Sequence, residues 1–132
     1  DAYWFIDKAS TYARERIVFD KPIGQNQGIQ FPIAKAYAAT KAADAIRYQA
    51  AALHDAGLAY GTEANMSKML CADASWEAAN MCLQTHGGFG FAAEYDVERK
   101  FRETRLYQVA PISTNLILAY IGEHVLGLPR SY

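Results

Sequence analysis

Apolar positions recur at steps of three and four residues over most of the chain, the spacing that places side chains on one face of an α-helix. This pattern predicts helices over residues 1–18, from about 27–31 to 56, and over 62–83, 94–107 and 115–126. The connections between them are short, which favours antiparallel neighbours. We therefore predict an all-α fold. It is an up-down antiparallel four-helix bundle with a short extra helix, forming a single domain over residues 1–132.

Local signals predict where the helices begin, end and face the core. Residues 20–24 (DKPIG) have the composition of a loop. Thr62 is a predicted N-cap for the third helix, and Ser113 or Thr114 for the last one. The third helix is expected to bury an apolar stripe consisting of Met66, Met69, Leu70, Trp76, Ala79 and Leu83.

Composition and charge exclude several classes of function. The chain has 132 residues, enough for one hydrophobic core, and a formal net charge of −1. That charge gives no electrostatic signature of nucleic-acid binding or of attraction to an acidic membrane surface. No apolar run is long enough to span a bilayer, so we expect neither nucleic-acid partners nor membrane insertion.

Two features bear on the cellular setting and on the extent of the protein. Cys71 and Cys82 lie in one predicted helix, about 16 Å apart along its axis, which is too far for a mutual disulfide. They are expected to be small core residues in a reducing compartment. The chain opens at Asp1 inside a helical pattern without a capping residue. We therefore expect a fragment of a larger protein, with more of the chain upstream of Asp1.

Residues 87, 88 and 90 are glycines, and they end the third helix. Each glycine in a helix interior costs about 1 kcal/mol relative to alanine, so this spacing predicts a turn. The turn has two readings. It is a plain helix stop, or its backbone N–H groups point together and bind a phosphate.

The residue patterns alone reveal no catalytic centre. His54, His86 and His124 are far apart in the sequence, and no spacing of cysteines and histidines is typical of a metal site. Nucleophile motifs such as GxSxG are likewise missing from the sequence. We predict no metal site and no catalytic residue within this chain.

Four stretches in register resemble the C-terminal helical domain of the acyl-CoA dehydrogenases. They are residues 14–19 (RERIVF), 22–31 (PIGQNQGIQF), 84–90 (QTHGGFG) and 94–103 (EYDVERKFRE). Their spacings fit the family without insertions from Tyr12 to Leu128. The resemblance implies a flavoprotein that uses FAD to oxidise an acyl-CoA thioester to the 2,3-enoyl-CoA.

The resemblance also implies which residues bind the cofactor. Arg16 matches the arginine that contacts the FAD pyrophosphate of a neighbouring subunit, and its planar fork of donors suits phosphate oxygens. Phe19 and Gln27 match positions that line the same FAD. Gln84, Gly87 and Gly88 match the turn beside the adenosine diphosphate half of the cofactor, and Ser113 and Asn115 match positions that contact its adenine end. Arg102 and Glu103 match the family as well and are expected to form a structural pair. An ion pair of Arg16 with Glu15 or Asp20 is the competing interpretation.

One departure from the family affects the chemistry. Where the family commonly has Tyr-Glu-Gly-Thr, with the glutamate as catalytic base, this chain has residues 110–113 (APIS). Pro111 cannot accept a proton. Three readings stay open: a base from the preceding helix, upstream of Asp1; a related flavin-dependent monooxygenase that needs no base; or a non-catalytic FAD-binding or assembly subunit.

The resemblance implies partners and a location too. Because the family's cofactor contacts cross subunits, we expect a homotetramer or at least a dimer. An acyl-CoA is the expected substrate, and electron-transfer flavoprotein or another acceptor is expected to take the electrons. The expected location is the bacterial cytoplasm or the mitochondrial matrix.

Overall fold

A computed structural model describes residues 1–131 of the chain. Its α-helices are α1 (Ala2–Glu15), α2 (Gln27–Asp55), α3 (Gly61–His86), α4 (Val97–Arg105) and α5 (Thr114–Tyr120). A π-helical turn, Ile121–Val125, continues α5. Short 3-10 turns cover Ile23–Gln25, Gly87–Phe91, Ala93–Tyr95 and Leu106–Gln108. The predicted all-α bundle is confirmed.

The helix α3 is central and contacts α1, α2, α4 and α5. The long helices α1, α2 and α3 alternate in direction along the chain, as the short connections predict, so that α1 and α3 are parallel to each other. The Tyr3 hydroxyl near the start of α1 donates to Asp44 late in α2. Cys71 early in α3 contacts the Ala43 carbonyl of α2, whereas Leu83 near the end of α3 shares a groove with Phe31 near the start of α2.

Small side chains fill the core where the long helices meet. Ala9, Ala78, Ala79 and Cys82 are fully buried, and Phe5 is the largest side chain among them. Alanines at these positions let helix axes approach closely. The predicted stripe of α3 is therefore only partly correct. Ala79 is buried, but Leu70 is exposed, and the other predicted members, Met66, Met69, Trp76 and Leu83, are half-buried.

A small β-hairpin follows α1, where the sequence pattern predicted the end of a helix and a loop. Strand β1 (Ile17–Val18) pairs antiparallel with β2 (Lys21–Pro22), so α1 ends at Glu15 and not near residue 18. Ile17 and Val18 are β-branched and favour extended backbone. The backbone N–H of Ile23 also donates to the Arg16 carbonyl, which extends the pairing.

Several helix ends differ from their predicted positions. Tyr60 rather than Thr62 precedes the first residue of α3. The predicted cap of α5 is confirmed, because the Ser113 hydroxyl accepts from the backbone N–H of Leu116 at 3.4 Å. The helix α4 is shorter than the predicted 94–107, because Asp96 has a left-handed φ of 64° and interrupts the helix before Val97.

The expected Arg102–Glu103 pair does not form. Arg102 pairs with Glu98 at 2.8 Å, and Glu103 pairs with Arg99 at 2.6 Å. Consecutive residues on a helix point in different directions, whereas residues four apart are neighbours.

Both cysteines are free thiols; Cys82 is buried and Cys71 half-buried. Burial raises the pKa of Cys82 to about 12, so this thiol stays protonated. Within residues 1–131, no helix is long and apolar enough to cross a bilayer. The same residues contain no cluster of histidine, cysteine, aspartate and glutamate that could hold a metal ion.

Candidate cofactor site

A groove of about 460 Å³ opens where α3 ends. The end of α1, the hairpin and the glycine turn form its walls. Among its lining residues are four of the eight predicted cofactor-binding residues: Arg16, Gln84, Gly87 and Gly88. Arg16 is far from the other three in the sequence, and the parallel packing of α1 against α3 brings it to the glycine turn.

Each of the three glycines in the turn occupies a different structural environment. Gly87 has a left-handed φ of 58°, and its N–H caps α3 on the carbonyls of Leu83 and Gln84. A Cβ at Gly90 would lie 2.9 Å from the Leu83 carbonyl oxygen, so packing requires glycine there. Gly88 has neither a left-handed φ nor any atom near an added Cβ. Its missing side chain leaves backbone that a molecule outside the chain can approach closely.

Arg16 contributes a positive charge to the groove. Its Cζ lies 5.4 Å from the centre of the Phe89 ring, and the residue is exposed. None of the ion pairs formed by residues 1–131 involves Arg16, so the alternative of a pair with Glu15 or Asp20 is not seen. The five N–H donors of this guanidinium are therefore available to an anion.

His86 forms a rigid support beneath the turn. It is buried, its Nδ1 lies 2.8 Å from the Cys82 carbonyl oxygen, and its ring stacks on Tyr12 at 4.2 Å. Burial lowers the pKa of His86 below its ordinary value, which favours the neutral ring. A neutral ring whose Nδ1 donates to a carbonyl has a fixed tautomer.

Sequence reasoning missed the aromatic residues of the groove. Tyr12, His86 and Phe89 line it, and Tyr95 contacts all three rings from behind. The signal available was the aromatic character of the glycine stretch itself, since His86 and Phe89 belong to QTHGGFG.

The other predicted residues lie outside the groove. Phe19 is at the tip of the hairpin and is 93% exposed, and Gln27 is exposed in the first turn of α2. Ser113 and Asn115 belong to the loop before α5 and its first turn. Lys68, early in α3, donates to the Ile112 carbonyl in that loop at 2.5 Å. Lys68 and Thr85 are about 25 Å apart along α3 at 1.5 Å per residue, so this loop lies far from the groove.

A second cavity, of about 490 Å³, lies beside Pro111. Its carboxylates, from Asp1 and Asp44, are both engaged. Asp44 receives hydrogen bonds from Arg47 at 2.7 Å and from the Tyr3 hydroxyl at 3.1 Å, and the Arg47 bond is the main cause of its lowered pKa. Asp1 pairs with Lys100 at 2.8 Å. A carboxylate with a lowered pKa is a weak base, so Asp44 is poorly suited to remove a proton.

Fold and groove together define an α-helical domain with an open groove, lined by Arg16 and the glycine turn, at one end of its central helix. The acyl-CoA dehydrogenase C-terminal domain family matches residues 1–126. The chain belongs to this family. The acyl-CoA dehydrogenase FadE12 of Mycobacterium tuberculosis is 36% identical over 129 residues, which cover 96% of this chain and 33% of that protein.

Solved structures have the same fold. The structure of glutaryl-coenzyme A dehydrogenase in complex with glutaryl-CoA is 32% identical in sequence, with a TM-score of 0.92. The match covers 98% of this chain and 33% of the dehydrogenase chain. The FAD complex of PigA matches 96% of this chain and 33% of its own, with a TM-score of 0.91. Its 23% identity supports the fold alone. The chain thus spans about a third of the length of these proteins.

Proposed function

We propose that this chain is the C-terminal domain of an FAD-dependent acyl-CoA dehydrogenase and contributes cofactor and subunit contacts to it. The observation that carries the proposal is the groove, which is lined by both Arg16 and the open backbone of Gly88. Arg16 belongs to none of the ion pairs among residues 1–131. Family membership supplies the reaction class, the α,β-dehydrogenation of an acyl-CoA thioester.

The residues present suit the pyrophosphate of FAD. Arg16 supplies a charged fork of donors, and Gly88 lets phosphate oxygens come close to the backbone. Gln84 and Gly87 complete this wall. When bound, FAD accepts the hydride that leaves the β-carbon of the substrate. The part of this chain is to hold and orient the cofactor.

The positions of the predicted cofactor residues support a homotetramer or a dimer. Arg16 lines the groove with Thr85, whereas Ser113 follows Ile112, which is bonded to Lys68. Thr85 and Lys68 are about 25 Å apart along α3 at 1.5 Å per residue. We infer that Arg16 and Ser113 serve different FAD molecules in an assembly of identical subunits. The exposed Phe19 and Gln27 then complete a site on a neighbouring copy.

The catalytic base is proposed to lie outside this chain. Pro111 replaces the usual glutamate, and the carboxylates beside it are held by Arg47 and Lys100. The dehydrogenases among the matching proteins favour this reading over a monooxygenase or a non-catalytic subunit. Electron-transfer flavoprotein or another acceptor would reoxidise the cofactor.

Anaerobic titration tests the proposed reaction. The full-length protein with bound FAD is mixed with acyl-CoAs of increasing chain length and branching, and the flavin absorbance is followed. Bleaching with one chain class is expected. If FAD stays oxidised with every acyl-CoA tested, dehydrogenation is the wrong activity.

Loss of the Arg16 charge tests the cofactor role. In the full-length protein, Arg16→Ala should weaken FAD binding about tenfold or more, because charge-assisted hydrogen bonds to phosphate are lost. Arg14→Ala is the matched control, since Arg14 is an exposed arginine in the last turn of α1 and bonds to Thr11 outside the groove. Affinity is measured by adding FAD to the apoprotein and following flavin fluorescence. Equal affinities for both variants would contradict the proposed site.

A further inference from the structure

Arg16 is one of several cations of this chain that lie over an aromatic ring, and none of the ion pairs formed by residues 1–131 includes it. Asp44, Arg99 and Glu103 lie in ion pairs, whereas Arg16 lies over a ring face. A carboxylate partner would neutralise the guanidinium and occupy its donors. A ring attracts the cation through its quadrupole and leaves the in-plane N–H groups available.

The Phe89 ring is itself held in place. Its centre lies 5.4 Å from that of Tyr95, and Tyr95 contacts Tyr12 at 5.9 Å and His86 at 5.7 Å. Tyr12 is one helical turn before Arg16 on α1, and its carbonyl accepts the backbone N–H of Arg16 at 2.9 Å. Backbone and side chain of Arg16 are thus both anchored to one aromatic cluster.

This cluster also fixes the glycine turn. His86 stacks on Tyr12 and bonds to the Cys82 carbonyl, and Gly87 follows it directly. The guanidinium of Arg16 and the open backbone of Gly88 therefore rest on the same set of rings. A phosphate-binding pair held in advance loses less conformational entropy when its ligand binds.

We propose that Phe89 is a positioning residue that holds Arg16 in the orientation needed to bind the FAD pyrophosphate. Phe89 itself provides no donor for the phosphate. The inference rests on the proposed cofactor role of Arg16 and adds the device that orients it. Phe89 thus has a function of its own, in addition to being part of the glycine turn.

Substitutions of Phe89 in the full-length protein test this role. Phe89→Leu keeps an apolar side chain but removes the ring, and we expect FAD to bind about two- to fivefold more weakly, as for a partly exposed cation–π contact. Phe89→Trp should retain the affinity or increase it, since tryptophan is the strongest ring partner for a cation. Phe91→Leu is the control, because Phe91 is 74% exposed in the same turn and does not line the groove.

A double-mutant cycle separates positioning from simple support of the turn. In an Arg16→Ala background, Phe89→Leu should have no further effect on FAD affinity, because the residue it orients is absent. The same fold-loss in both backgrounds would overturn the inference, and so would unchanged affinity of Phe89→Leu alone. If Arg16→Ala itself leaves FAD binding intact, the proposed function of the groove fails, and the inference fails with it.

Discussion

Arg16 and His86 are residues whose chemistry depends on what surrounds them. Arg16 meets an aromatic ring instead of a carboxylate, so its charge remains available at the groove. His86 is buried against Tyr12, with its Nδ1 beside the Cys82 carbonyl oxygen, so burial lowers its pKa and favours the neutral ring, whose tautomer is fixed. One residue presents a charge, and the other provides an uncharged support for the turn that follows it.

Burial of His86 predicts a dependence of stability on pH. Its pKa in the folded state lies below the ordinary value of 6.5, so the unfolded chain binds more protons as the pH falls through that value. The contribution of neutral His86 to the free energy of unfolding is complete above pH 6.5. This contribution decreases as the pH falls through 6.5, and the decrease ends once the pH is below the folded-state pKa.

The measurement is the thermal unfolding temperature of the full-length protein from about pH 8 to pH 5, the range in which histidine titrates. Replacement by His86→Gln should lower the unfolding temperature at high pH and flatten this part of the profile. An equally steep profile in His86→Gln would show that other groups cause the dependence.

Sequence patterns could predict only part of this residue-scale picture. The resemblance assigned eight residues to the FAD, and the structure brings four of them, Arg16, Gln84, Gly87 and Gly88, to one groove. The contact between Tyr12 and His86 joins residues far apart in the chain, and no local pattern encodes such a contact. Likewise, the contact of Arg16 with the Phe89 ring could not be predicted from the sequence, in which Glu15 and Asp20 were the nearby candidates for a contact within the chain.

At the scale of elements, the periodic apolar pattern was sufficient for the helices and insufficient for shorter features. The hairpin has two residues per strand, too few to show an alternating pattern. The core of α3 was misjudged because bulky side chains dominate a hydropathy pattern. Where helices approach closely, alanine and cysteine are buried, and larger residues such as Leu70 are left towards the surface.

At two glycines of the same turn, we expect an added methyl group to have different effects on stability. Gly90→Ala should destabilise the protein by about 1–3 kcal/mol, because its Cβ would lie 2.9 Å from the Leu83 carbonyl oxygen. Gly88→Ala should leave the unfolding temperature of the apoprotein unchanged or slightly raised, since its Cβ meets no atom.

The two variants should differ again in cofactor binding. Gly88→Ala should weaken FAD binding in the full-length protein, because the methyl group projects where the ligand approaches. Chemical denaturation of the apoprotein and fluorescence titration with FAD measure the two effects separately. A Gly88→Ala protein with normal FAD affinity would mean that nothing comes close to this backbone.

A buried hydrogen bond joins α3 to α4. The hydroxyl groups of Ser75 and Thr104 are 2.7 Å apart, and both residues are buried. Thr104→Val keeps the shape but leaves the Ser75 hydroxyl without this partner, which should cost about 1–3 kcal/mol. The Ser75→Ala/Thr104→Val double variant should recover part of that loss, because no hydroxyl is left behind. Urea unfolding measures both, and additive losses would argue against the bond.

At the scale of the whole molecule, large apolar side chains remain on the surface. Phe31, Tyr48, Phe91 and Leu126 are each at least 60% exposed, and Phe19 is almost fully exposed. Where such side chains form a contiguous patch, other protein segments commonly cover it. These exposed side chains are consistent with a domain that packs against further copies and against other parts of the full-length protein.

If FAD bridges subunits, removing it should weaken the assembly. A ligand that binds only the associated state stabilises that state by mass action. Sedimentation velocity of the full-length protein should show dimers or tetramers with FAD bound. Once FAD is removed, the protein concentration below which these assemblies dissociate should rise. Monomers that retain a full complement of FAD would contradict a site shared between subunits.

The length of α3 has a consequence for how this sequence can change over time. The helix runs unbroken from Gly61 to His86, with the groove at its last turn and the Ile112 loop fastened near its first turns. One residue inserted or deleted between them would shift the two ends by about 1.5 Å and rotate them by about 100°. Homologous chains should therefore differ along α3 in side chains but not in length. Their insertions and deletions should collect in the connections outside it, where a change of register is absorbed locally.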